Sequence, residues 1–343
     1  MSKFRSTLLA AVLSTVAGAA SAQQDPIVLK YTTFVPSNHV MVTEGGNLFM
    51  NEVTRLTNGR VKFEFYPAEQ IGKAKQFIDL MNTGLVDIAD IGIGYFTADR
   101  LPLLGIIEMP GLTNSSCAAS RALRSIGTPG GILHENDFKA NGIRALDFRV
   151  NPGFNIVSLR VPVNSIADLK GKKLRTAGGV MEVAIKSLGG IPVSMTSSEI
   201  YTALDRGTLD GVMFTYTLSD TLGFDKVSKY GTTGFGFGTP GQFIMISEAT
   251  FQKMPKDIQD ALLQAGKTEE EHICAYFDQG ETKMVEKFKA NGTKIHEWTA
   301  AEKAALADAV KDLPDQWIKA MEARGKPAKA ALEAYIGALK AKY

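Results

Sequence analysis

Beyond its first 22 residues the chain has no run of about 18 apolar residues, so nothing later in it reads as a membrane-spanning helix. Cysteine is scarce: Cys117 and Cys274 are the two in 343 residues. Two lone cysteines make no zinc site without histidines at ligand spacing, and His39, His134, His272 and His296 offer none. Charge of one sign is missing too. The whole chain holds 38 basic and 36 acidic residues, and setting aside Lys3 and Arg5 leaves 36 against 36. That balance argues against a nucleic-acid partner, which calls for a basic excess. Catalytic signatures are absent as well. There is no Gly-x-Ser-x-Gly, no Cys-x-x-Cys and no phosphate-loop lysine, and His134-Glu135 lacks the second His of a His-Glu-x-x-His motif. Gly92-Ile-Gly94 is a fragment of a dinucleotide fingerprint, placed after the third strand and not the first. No cofactor, no metal and no enzymatic activity are expected.

What is present begins with an export signal. Lys3 and Arg5 give a charged start, residues 8–19 are mostly apolar, and Ala20-Ser21-Ala22 forms a small-residue cleavage site. Polar Gln23-Gln24-Asp25 follows, and no cysteine near the cut offers a lipid anchor. Residues 1–22 therefore read as a signal peptide and the remainder as a periplasmic, non-membrane-spanning protein. An oxidising compartment permits a disulfide between the two cysteines, but sequence cannot bring their Cα atoms within the required ~4.4–6.8 Å. That pairing stays open. Glu269-Glu270-Glu271, the one notable charge run, reads as a solvated helix face.

Along the chain one unit occurs twice. Residues 28–33 alternate apolar and polar like a strand, 40–56 show helical spacing, 61–66 alternate again, 73–82 are helical and 86–91 form a third strand. The order returns as a strand at 173–176, a helix at 179–188, a strand at 192–195, a helix to 206 with Ser197 or Ser198 as cap, and a strand at 209–214. The closing segments match in detail. Each has an apolar helix, a glycine (Gly84, Gly207), one free residue, an aliphatic and an Asp entering the strand (Asp87, Asp210). The glycine suits a left-handed helix end, and the Asp can bond nearby backbone at the turn.

The fold class predicted is α/β: a two-lobed periplasmic-binding-protein fold with a cleft between the lobes. Residues 23–150 plus about 242–285 make lobe 1, and 151–241 plus about 286–343 make lobe 2. Residues 255–290 spell a helix of about 54 Å at ~1.5 Å per residue, long enough to brace both lobes, with Gly266 and Gly280 as places to bend. The tail beyond residue 300 reads as surface helices broken at Pro314 and around residues 325–327. Ligands of open α/β sheets bind beyond the carboxyl ends of the strands. Arg175 stands at such an end, before a glycine-rich turn and a helix. Its guanidinium could grip a carboxylate with two parallel donors, or could simply end a strand at the surface.

A family resemblance bears on that choice. Gly59-Arg-Val-x-Phe-Glu-x-Tyr-Pro67, Gln70-Ile-Gly72, Gly84-x-Val-Asp-Ile-Ala89, Leu101-Pro102 and Met109-Pro-Gly-Leu112 stand in order, followed by Ser165-Ile-Ala-Asp-Leu-Lys-Gly-Lys-Lys-Leu-Arg175. Then come residues 184–195, Glu199-Ile-Tyr-x-Ala-Leu204 and Gly207-x-Leu-Asp-Gly211. Through most of the exported part the chain resembles the substrate-binding subunit of tripartite ATP-independent periplasmic (TRAP) transporters, the DctP family. The resemblance implies a monomeric solute binder, membrane transporter subunits as partners, and Arg175 as the residue that binds the substrate carboxylate. An ATP-driven uptake system or a sensing role would use similar lobes.

The chain departs from that family's pattern at informative places. Asn155 stands where many relatives carry a second Arg, and Phe214 where many carry a ligand-contacting Asn, with Met213 before it and Tyr216 after. Pro240 replaces a polar residue of sialic-acid binders. These changes run toward lower polarity and imply a small monocarboxylate with an apolar or aromatic body. The alternative within the family is a C4-dicarboxylate or sugar acid. Met213 and Phe214 end a strand and are alternatively core, Met213 more readily than Phe214. Phe34, Asn38, Tyr95 and Phe96 follow first-lobe strands and are candidates for the opposite wall. Arg149 is a possible second cation near the hinge, or a surface residue.

Overall fold

The computed structural model describes residues 25–157 and 160–341; the signal-peptide reading of residues 1–22 lies outside them. The repeated unit takes the same topology twice. In the first half β1 (Ile27–Thr32), β2 (Val61–Tyr66) and β3 (Ile88–Gly92) are parallel in the order β2-β1-β3, and β4 (Ile143–Ala145) closes the far edge of that sheet. In the second half β5 (Asn155–Val157) is followed by β6 (Lys173–Thr176), β7 (Ile191–Ser194) and β8 (Gly211–Phe214), the last three parallel in the order β7-β6-β8. Helices Phe77–Asn82 and Ser197–Asp205 end at matching glycines with φ of +73° at Gly84 and +72° at Gly207. Asp87 accepts from the Lys30 N–H at 2.9 Å, and Asp210 from the Lys173 N–H at 2.8 Å. The two aspartates thus tie the entering strand to its central neighbour across the sheet, rather than bonding their own turn. Thr196 caps the second of these helices, not Ser197 or Ser198, and Glu199 completes a capping box with it.

The chain then exchanges strands between the two sheets. β5 lies antiparallel on β8, and β9 (Tyr230–Thr233) leads back to β10 (Gln242–Ser247), which lies antiparallel between β3 and β4. β9 itself pairs in parallel with β11 (Lys294–Glu297). Two stretches therefore cross side by side from half to half. Val150 bridges Gly241, the Gln242 N–H donates to the Arg149 carbonyl and the Asn151 N–H to the Pro240 carbonyl.

Helix Lys256–Ala290 runs unbroken through Gly266 and Gly280. Gly266 is no bend; a Cβ there would stand 2.7 Å from the Leu146 carbonyl carbon, so the glycine permits close packing. The helix packs on Asn47–Leu56 and Ser116–Gly127 from the first half and on Tyr216–Thr221 from the second. Its carboxylates cap one neighbour from each half. Asp278 accepts from the Ser116 N–H at 2.6 Å and the Ser115 hydroxyl at 2.7 Å; Glu281 accepts from the Tyr216 N–H at 2.8 Å and the Thr217 hydroxyl at 2.7 Å. Negative charge at a helix N-terminus is favourable, so one helix face anchors each half. A Cys117–Cys274 disulfide, with Cα atoms 4.8 Å apart, adds a covalent tie on the first-half side. Glu269-Glu270-Glu271 is solvated only at Glu271: Glu269 and Glu270 are buried, the second paired with Arg124 at 2.6 Å. Of the tail helices, Leu313–Glu322 holds Pro314 within its first turn, where a missing N–H is harmless. Ala328–Lys340 packs on Ser116–Gly127 in the first half and buries Ala331 and Tyr335. No helix among the described residues is long and apolar enough to cross a membrane.

Candidate functional site

The carboxyl ends of β1, β3, β6 and β8 and the two crossing stretches enclose a cavity of about 50 Å³. Arg175, the third residue of β6, points into it and is 1% exposed. Its Nε and Nη2 both donate to the Met195 carbonyl, at 3.0 and 2.9 Å. The Phe214 ring lies 5.5 Å from the guanidinium carbon, a cation–π contact. No Asp or Glu forms an ion pair with it among the described residues. Burial pulls its pKa down from the ordinary arginine value, opposed by Tyr95. A carbonyl and a ring face recover only part of what a buried cation loses with its hydration, several kcal/mol by continuum reasoning. A ligand carboxylate would supply the missing counter-charge.

The walls are mostly apolar. Phe34 and Tyr95 meet edge to face at 5.4 Å on the first-half side, and Phe154 stacks on Phe214 at 5.6 Å on the other. Met181 and Leu218 complete the second-half wall, and Pro240 contributes from the crossing. Phe34, Tyr95, Phe214, Pro240 and Arg175 are thus brought together as lining residues. The other candidates are elsewhere. Met213 is buried on the opposite face of β8, as strand alternation requires. Asn155 is half of the β5–β8 pairing and faces a separate hollow beside Glu281. Tyr216 buries its ring against Phe288 and donates its hydroxyl to the Thr232 carbonyl. Phe96 is core and Asn38 is exposed. Arg149 is neither a cleft cation nor a surface residue: it sits at 0% exposure among Asp90, Asp147 and Glu269.

Sequence reasoning did not name His39, Glu108, Asn151, Ser197 or Gln242 as site residues, yet all line the cavity. Two of them tie the halves together. Glu108 accepts from the Val180 N–H at 2.8 Å, capping helix Val180–Ser187 from the first half, and Thr97 donates to the same carboxyl. Tyr95 accepts from the Ser197 N–H at 3.0 Å, at the start of helix Ser197–Asp205. Both acceptors belong to the first half and both helices to the second. The backbones also touch: a Cβ on Gly94 would stand 2.8 Å from Ala177 Cβ, and one on Gly179 2.5 Å from Glu108 Oε2. The glycines noted around residues 92–94 and 178–179 thus form the seam of a closed cleft. Burial raises the Glu108 pKa to about 8, against the hydrogen bonds from Val180 and Thr97. His39 is held neutral, its pKa lowered by burial to about 3, and accepts from the Met41 N–H.

The model of the DctP family, bacterial extracellular solute-binding protein family 7, matches residues 31–320. The chain belongs to this family. It is a solute-binding protein and not an enzyme. A "Solute-binding protein" of Albidiferax ferrireducens is 30% identical over 274 residues, covering 76% of this chain and 79% of that one. The C4-dicarboxylate-binding periplasmic protein DctP of Rhodobacter capsulatus is 26% identical, covering 90% and 92%. Among solved structures, a TRAP solute-binding protein of an unidentified marine microbe, specific for aromatic acid ligands and holding metahydroxyphenylacetate, superposes with a TM-score of 0.84. It is 24% identical, and the match covers 91% of this chain and 98% of that one. The two-sheet α/β fold with its long helix is therefore that of TRAP solute-binding proteins.

Proposed function

We propose that this DctP-family protein captures a small monocarboxylate with an apolar or aromatic body in the periplasm and delivers it to the membrane subunits of a TRAP transporter. The single observation that carries the reading is Arg175. It is a buried guanidinium with no Asp or Glu in ion-pair contact among the described residues, in a cavity walled by Phe34, Phe154, Met181, Phe214 and Leu218. Arg175 would take the ligand carboxylate, with charge-assisted hydrogen bonds contributing about 1.5–3 kcal/mol each. The aromatic-acid binder of the same fold and the periplasmic DctP relative support the ligand class and the compartment.

Charge favours a monocarboxylate over the dicarboxylate that the Rhodobacter relative binds. Arg175 is the one Arg or Lys lining the cavity among the described residues. His39 stays neutral and Arg149 is committed elsewhere, so no second cation is there to meet a second acid group. The cavity of about 50 Å³ is smaller than the ~150 Å³ that holds a benzene in an engineered core. An aromatic acid would therefore enter by parting the seam and would hold it slightly wider than it stands.

A thermal-shift screen against organic acids tests the reading. A bound acid at ~100 times its Kd adds about 2.7 kcal/mol of stability. Monocarboxylates should give the shifts, and Arg175→Ala should remove them while its circular dichroism stays that of the parent. Shifts that persist in that variant, or hits confined to C4-dicarboxylates and uronates, reject it.

A further inference from the structure

The floor of the cleft carries two amide side chains that carboxylate capture does not use. Asn151 and Gln242 stand on the two crossing stretches, with Val150 bridged to Gly241 between them. In that antiparallel register residues 149, 151, 240 and 242 share one face, and the diagonal pair 151 and 242 lies within reach of a single ligand group. Asn151 is 3% exposed and Gln242 5%, and both line the cavity that holds Arg175. Asn151 Oδ1 and Gln242 Nε2 have no hydrogen-bond partner among the described residues. A buried polar atom left unpaired destabilises the site that holds it. Two such atoms, one acceptor and one donor, at the same cavity wall are a recognition element awaiting its complement.

We infer that Asn151 and Gln242 read one hydroxyl group, which makes the ligand class a hydroxylated monocarboxylate. The inference rests on the monocarboxylate reading and narrows it. A hydroxyl donates and accepts at one atom. It gives its proton to Asn151 Oδ1 and takes the Gln242 Nε2–H. If both amides are turned over, the roles exchange and the hydroxyl still satisfies both. A keto oxygen accepts only and leaves the Asn151 acceptor unpaired. A hydrocarbon surface leaves both unpaired. The hydroxyl would hang from the floor while the carboxylate meets Arg175 and the body packs between Phe34 and Phe214.

Titration calorimetry on matched acids tests this: mandelate against phenylacetate, 3-hydroxybenzoate against benzoate, and lactate against propionate. In the parent protein the hydroxylated member of at least one pair should bind about tenfold or more tighter, because a site built to bond a hydroxyl rejects the analogue lacking it. In Gln242→Met and in Asn151→Ala that ratio should fall to about threefold or less, while affinity for the unhydroxylated member stays within about threefold, which certifies an intact cleft. Equal affinities within every pair, or a preference that survives both substitutions, overturn the inference and leave monocarboxylate capture standing. Binding by no monocarboxylate at all overturns both.

Discussion

Arg149 and Arg175 are both fully buried, yet one is surrounded by carboxylates and the other faces a cavity. Arg149 meets Asp147 at 2.8 Å and Glu269 at 3.5 Å, and it also pairs with Asp90. Burial opposes its charge, but the three acids outweigh burial and hold the guanidinium firmly protonated. Asp90 comes from β3, Asp147 from the stretch before the crossing and Glu269 from the long helix. The cluster therefore fastens the brace to the first sheet. Arg175 makes no such ion pair, and burial lowers its affinity for its proton. One arginine is spent on the fold. The other is kept short of a counter-ion at the place where a ligand arrives.

Substitution separates the two roles, and the largest expected effect is at Arg149. Arg149→Met leaves three buried acids without their cation, and breaking a buried pair in this way costs about 3–5 kcal/mol. The urea midpoint should drop sharply. Arg175→Met should change stability by less than about 1 kcal/mol, since replacing an unpaired buried charge with an apolar chain is neutral or stabilising. Equal losses from both variants would erase the contrast. Next in size is the tie between Ser116–Gly127 and the long helix. Cys117→Ser opens a bridge spanning 157 residues and should cost about 2–5 kcal/mol, read from thermal unfolding with and without reductant.

For binding the expected order reverses. Arg175→Lys keeps a point charge but loses the planar fork, and should weaken a monocarboxylate about tenfold or more in titration calorimetry. Arg149→Lys retains the cluster's charge and should leave ligand affinity nearly unchanged. An effect on affinity from Arg149→Lys as large as that from Arg175→Lys would mean that the cluster communicates with the cleft.

The difference between these two arginines was only half legible in the sequence. The strand-helix alternation and the paired Gly-x-x-Asp endings repeat locally, so both β-α-β-α-β units could be read from spacing alone. Arg175 was legible for the same reason: a strand end has a direction, and the topology says where it points. The partners of Arg149 come from residues 90, 147 and 269, and no local pattern announces such a convergence. Asn155 and Tyr216 do not line the Arg175 cavity: Asn155 hydrogen-bonds Glu281, and the Tyr216 ring packs on Phe288. Glu108 and Gln242 were invisible because their roles exist only once the two halves meet.

The seam between the halves gives a smaller test. Gly179 adopts φ +62°, and a side chain there would meet Glu108 Oε2 at 2.5 Å. Gly179→Ala adds strain of about 1–3 kcal/mol and props the seam open. If closure secures the ligand, the dissociation rate should rise about tenfold while association changes little, in stopped-flow measurements. An unchanged dissociation rate would detach the seam from ligand retention.

The smallest expected effect is a drift of stability with pH, and its sign distinguishes the two regions again. Burial raises the carboxyl pKa of Glu108 to about 8 in the seam and of Asp147 to about 6 in the Arg149 cluster. The folded protein then holds protons that the unfolded chain, with carboxyl pKa near 4, has already lost. Stability tied to these groups is complete below about pH 4 and declines as pH rises through each folded value. Thermal midpoints should therefore fall from pH 5 to pH 7 through Asp147 and Glu108 together, and further toward pH 8 through Glu108. Glu108→Gln keeps an acceptor for the Val180 N–H without a titrating proton, so it should make the fall shallower from pH 5 to 7 and flatten the curve above pH 7. A midpoint that stays flat between pH 7 and 8.5 would mean that the Glu108 carboxylate stays ionised, held by the helix N-terminus it caps, and that the seam closes on a charge.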